Sequence, residues 1–72
     1  MEEGAEAMRK TLAQLRRDKE KTQKEVAEAL GLAVSTIGMY ERGYRIPSLK
    51  SAKKLAEYYG IKVEEIVFDP QH

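Results

Sequence analysis

Cysteine is missing from this chain, which removes disulfides and thiolate-held metals as braces. Its absence suits a reducing cytoplasm, the compartment expected for the protein. Histidine occurs once, at His72, the last position, where nothing would hold a general base in place. No His/Cys cluster and no glycine-rich phosphate loop is present, and the neighbouring Glu64 and Glu65 read as the wet side of a helix. The residues therefore give no support to enzymatic chemistry, and no metal, cofactor or small-molecule ligand is expected. No stretch approaches the roughly 18 apolar residues that a membrane-spanning helix needs, so no membrane partner is expected. The opening MEEGAEAM is acidic and lacks the apolar core of a secretory signal. Strict apolar–polar alternation is also missing, which argues against a sheet.

What is present must fold within 72 residues, enough for one domain. A chain of this size buries only about 60% of the surface that its unfolded form exposes, so the core is thin. Stability has to come from well-patterned helices. The formal net charge of +1 conceals an alternation of sign. Residues 9–24 and 42–54 are basic, whereas 1–8, 25–41 and 55–72 are acidic. Such blocks often mark solvated helix faces, but they also allow one positive face on a nearly neutral molecule.

The apolar spacing predicts five helices. Met8, Leu12 and Leu15 share one face of a first helix over about 6–19. Thr22 is placed to cap a second helix from Gln23 to about Leu30, with Glu25 at capping-box distance. Val26, Ala27 and Leu30 turn inward there, and Gly31 ends it. A third helix runs from about Val34 to Arg42, with Ile37 and Tyr40 inward and Gly43 closing it. Tyr44-Arg45-Ile46-Pro47 must be a loop, because proline disfavours helix in the residue before it. Ser48 caps a fourth helix carrying Leu49, Ala52, Leu55, Ala56 and Tyr59, which Gly60 stops. A short fifth helix is expected at about 63–67, with Val63, Ile66 and Val67. The domain is expected over 6–68, between disordered ends at 1–5 and 69–72.

Only Gly31-Leu32-Ala33 separates the second and third helices, and a short glycine-containing turn between two helices is the helix-turn-helix pattern. Gln23, Ala27, Gly31 and Ile37 carry a resemblance to the Cro and phage-repressor-like (XRE-family) regulators. Tyr40-Glu41-Arg42-Gly43, Pro47-Ser48-Leu49, Leu55-Ala56 and Tyr59-Gly60-Ile61 extend it to about residues 9–67. The resemblance implies an all-α, compact five-helix lambda-repressor-like domain. It also implies a partly buried pair between Arg16 and Glu41, with structural rather than recognition value. Ala27 would sit at a helix crossing, where a larger side chain costs ~1–3 kcal/mol.

By the same resemblance the protein binds double-stranded DNA as a transcriptional regulator, a repressor, with the third helix in the major groove. Val34, Ser35 and Met39 would face base edges, and Gly38 would lie near the groove wall. Ser35 can donate or accept, whereas Val34 and Met39 suit apolar features such as a thymine methyl. Ala33 stands where the family usually has a serine or threonine cap. Phosphates would fall to Thr22 and Gln23 at one helix start, to Thr36, Arg42, Tyr44 and Arg45, and to Ser48 and Lys50 at another. A weak homodimer is expected, because one helix reads only a few base pairs. Phe68 either closes the core or joins the end of the fourth helix and the fifth helix in that dimer. The alternative is a protein-interaction or antitoxin-like module on the same fold, with apolar Val34 and Met39 packed on a partner.

Overall fold

The computed structural model describes residues 9–68. Met8 and the two expected disordered ends fall outside these residues, wholly at 1–5 and 69–72. The first element is a two-residue strand, β1 (Lys10–Thr11). Helix α1 (Leu12–Asp18) follows, then α2 (Gln23–Leu30), α3 (Val34–Arg42) and α4 (Leu49–Tyr59). A 3₁₀ turn, Val63–Glu65, leads into β2 (Ile66–Val67).

Local chemistry sets most of these limits. Thr11 caps α1: its hydroxyl accepts from the Gln14 N–H at 3.2 Å, while the Thr11 N–H donates to Gln14 Oε1 at 2.9 Å. This capping box starts the helix at Leu12, so the expected start near residue 6 is corrected, and residues 10 and 11 are extended. Thr22 and Glu25 form the same reciprocal pair at the start of α2, at 3.0 and 2.8 Å. The Ser48 hydroxyl accepts from the Ser51 N–H at the start of α4. Gly31 leaves α2 with φ +70° and has open space around it, so conformation and not crowding calls for glycine there.

The end of α1 differs. The N–H groups of Glu20 and Lys21 donate back to the carbonyls of Arg17 and Arg16 at 2.9 and 3.1 Å, a Schellman closure. Its left-handed position is taken by Glu20 at φ 57°.

The fifth helix is also corrected. Only three residues coil after Gly60, held by the Lys62 N–H on Glu65 Oε1 at 2.9 Å. Then β-branched Ile66 and Val67 extend and pair in parallel with β1, Lys10 opposite Ile66 and Thr11 opposite Val67. Branching at Cβ favours this extended form. The expectation of no sheet is overturned to the extent of this one two-stranded ladder.

The ladder closes one of two packed apolar groups. Leu12, Leu15, Leu55, Ala56 and Ile66 form the first, with Phe68 packed against it. Val26, Ala27 and Ile37 form the second, where α2 crosses α3, and Leu30 touches both. Ala27 is buried at that crossing, as its size requires.

Candidate nucleic-acid interface

Ile37 is 2% exposed and fastens α3 to Val26 and Ala27 on α2. Residues three and two before it and two after it, Val34, Ser35 and Met39, face outward. Val34 is 44% and Met39 38% exposed, Ser35 lies open beside Val34, and Thr36 is half-buried. Helix α3 is therefore a rod braced on one side and uncovered on the other. No side chain caps its first turn, because Ala33 offers none.

Gly38 does not share that exposure: it is buried. A Cβ added there would lie 3.5 Å from Arg42 Nη2 and 3.7 Å from Gln23 Oε1. Gly38 thus forms the floor over which two longer side chains pass, one from the start of α2 and one from the end of α3.

Beyond α3, Arg42, Tyr44 and Arg45 are exposed. The Arg42 guanidinium lies 6.0 Å from the centre of the Tyr44 ring, at the outer reach of a cation–π contact. Ser48 and Lys50 are exposed at the start of α4. Thr22 is exposed too, but its N–H is already given to Glu25 Oε1. The Glu25 carboxylate answers part of the anion demand of that helix end from within the chain. Hydrogen bonding from Thr22 holds it below its ordinary range.

Behind this surface lies a polar tie that spans three helices. Arg16 Nε donates to Glu41 Oε2 at 2.7 Å, and Arg16 Nη2 donates to Glu41 Oε1 at 3.2 Å. The two side chains are 17% and 7% exposed. This planar, two-pronged contact sets angle as well as distance. The Glu41 hydrogen bond raises the Arg16 pKa further, partly offset by desolvation. Arg16 Nη1 also donates to the Lys21 carbonyl at 2.9 Å, and Gln23 Nε2 donates to Glu41 Oε1 at 3.0 Å. Nearby Tyr59 is pushed up to about 12, first by burial and then by the Glu41 charge.

The Gln23–Glu41 bond had no signal in sequence spacing, since the two residues belong to different helices and lie far apart along the chain. The α1 cap did have one: Thr11 stands three residues before Gln14. Among the described residues, no group of three or more His, Cys, Asp or Glu side chains is placed to hold a metal. No helix there is long and apolar enough to cross a membrane.

Known proteins share much of this sequence. The model of a family described as helix-turn-helix matches residues 12–66. The chain is 37% identical over 57 residues to the cryptic phage CTXphi transcriptional repressor RstR of Vibrio cholerae, covering 79% of this chain and 51% of that protein. It is 37% identical over 65 residues to an HTH-type transcriptional regulator of Archaeoglobus fulgidus, covering 89% of this chain and 92% of that one. With the HTH-type transcriptional regulator AnsR of Bacillus subtilis it shares 38% over 56 residues, or 78% of this chain and 48% of that one. The chain thus spans about half the length of RstR and AnsR. No solved structure matches it. The chain belongs to the helix-turn-helix family, whose model spans its four helices from Leu12 to Ile66.

Proposed function

We propose that the protein binds double-stranded DNA sequence-specifically and regulates transcription as a repressor, acting in the cytoplasm. One observation carries this reading: α3 is held from behind by Ile37 while Val34, Ser35 and Met39 stand open, and Arg42 and Arg45 are exposed at and just after its end. A braced helix with an open face suits the major groove. Val34, Ser35 and Met39 meet base edges. Gln23, Thr36, Arg42, Tyr44, Arg45, Ser48 and Lys50 engage phosphates, joined by the Thr22 hydroxyl. Two copies bind as a weak homodimer on a symmetric site.

A protein-binding role has its own support in the apolar exposure of Val34 and Met39. Titrating duplex DNA at several salt concentrations separates the two. Groove binding gives a log-affinity that falls with log salt by about 0.9 per phosphate neutralised. Replacing both Arg42 and Arg45 by alanine should weaken all duplexes alike and flatten that slope by about 2. A flat salt response with no duplex protected from cleavage would favour the protein partner.

A further inference from the structure

The Glu41 carboxylate has one more contact than an ion pair needs. Arg16 already supplies two donors, yet Oε1 also takes Gln23 Nε2 at 3.0 Å. A carboxylate side chain 7% exposed, between a helix-1 cation and the first residue of α2, is a fixed point. An ionised carboxylate only accepts hydrogen bonds. It therefore selects the amide end of Gln23 and takes one of its two Nε2 hydrogens, which leaves the second to donate to an outside acceptor. Both ends of that amide lie against Gly38, where the Arg42 guanidinium also passes. Gln23 itself is half-buried, so its outer edge reaches solvent.

We propose that Glu41 is a positioning residue for DNA binding, which, by taking one Nε2 hydrogen of Gln23, aims the other at the phosphate backbone beside Arg42. The inference rests on the DNA reading above. It assigns Glu41 a second duty beyond bracing α1 against α3. The ion pair orders the interior, and the same oxygen orders a surface side chain. Glu41→Gln is the discriminating change. With its nitrogen toward Gln23 the new amide sets donor against donor there; with its nitrogen toward Arg16 Nε it keeps an oxygen on Gln23 but replaces a charge-assisted bond by a weaker neutral one.

The test is a double-mutant cycle on a 20-base-pair duplex of random sequence, with binding followed by fluorescence anisotropy at low and moderate salt. In the unmutated background, Gln23→Ala should weaken binding by about 10-fold, as expected for a hydrogen bond to a charged group. In the Glu41→Gln background the same change should alter it by less than about 2-fold, the usual margin of additivity. The Gln23 side-chain amide resonances of the free protein should move and exchange faster in Glu41→Gln. If Glu41→Gln does not fold, the paired Arg16→Met/Glu41→Met replacement removes the tie without stranding a buried charge, and the cycle is run there. Equal cost of Gln23→Ala in both backgrounds, or Gln23 resonances indifferent to Glu41, overturns the inference while leaving DNA binding intact. Absence of duplex binding by the unmutated chain overturns the DNA reading, and this inference with it.

Discussion

The two helices of the motif begin in different ways. At α2 the first turn is closed twice over, by the Thr22 hydroxyl on the Glu25 N–H and by the Glu25 carboxylate on the Thr22 N–H. At α3 no side chain closes it, because Ala33 stands in the cap position. Burial divides in the same sense. Helix α2 contributes Val26 and Ala27, both nearly sealed, whereas α3 commits Ile37 and Gly38 and leaves Val34 and Met39 open. One helix is stabilised by its own sequence, and the other depends on what lies behind it. A helix meant to lie against a partner gains from unfilled amides at its start, since a ligand can use them. Its stability must then come from the support given by α1 and α2.

The largest effect should come from removing that support. Glu41 lies in α3 but is held by Arg16 of α1 and Gln23 of α2. Glu41→Ala leaves the Arg16 guanidinium without its carboxylate in a site where it is only 17% exposed. Loss of a buried partner costs about 3–5 kcal/mol, a large part of the stability of a domain this small. Chemical denaturation should show the midpoint collapsing. A loss under about 1 kcal/mol would mean that α3 does not depend on this tie.

The caps allow the comparison to be inverted. Thr22→Ala should cost α2 about 1 kcal/mol, and Ala33→Ser should add a similar amount to α3. Thermal melts of the two variants should therefore move in opposite directions. Acid adds a second reading of the α2 cap. The Thr22 hydrogen bond lowers the Glu25 pKa below its ordinary value of 4.5. Its contribution is present above that value and is lost as pH falls through the lowered one. The unmutated protein should lose that contribution on acidification, and Glu25→Gln, whose amide oxygen still accepts but does not titrate, should lose less. Equal acid sensitivity in both would remove Glu25 from the account.

These same local features explain what was legible in the sequence. The limits of α2, α3 and α4 follow from Thr22, Ser48 and the glycines at 31, 43 and 60, because caps and left-handed exits act over three or four residues. The start of α1 is obscured because Met8 continues the apolar spacing of Leu12 and Leu15, although Thr11 and Gln14 mark the actual boundary. The β1–β2 pair is illegible for another reason. Two residues in each strand show no period, and the partners come from opposite ends of the chain. The outward face of α3 follows from the inward placement of Ile37. The link from Gln23 to Glu41 does not, since it depends on how α2 and α3 cross rather than on the pattern of either helix.

The smallest predicted effect sharpens the contrast from the other end of a helix. Three helices leave through glycine at φ between 70° and 78°, whereas α1 leaves through Glu20 at φ 57°. An L-residue in that region brings Cβ toward its own carbonyl, at a cost of about 1–2 kcal/mol. Glycine removes that cost but adds freedom to the unfolded chain, which takes back part of the gain. The net for Glu20→Gly should be a stabilisation of about 0.5–1 kcal/mol, read as a higher denaturation midpoint with an unchanged slope. The control is Glu20→Ala, which keeps Cβ and so keeps the strain. If alanine stabilises as much as glycine, the gain comes from deleting an acid at a helix C-terminus, where negative charge is unfavourable. If only glycine stabilises, the backbone conformation is the cause, and the end of α1 carries strain that the glycine-ended helices avoid.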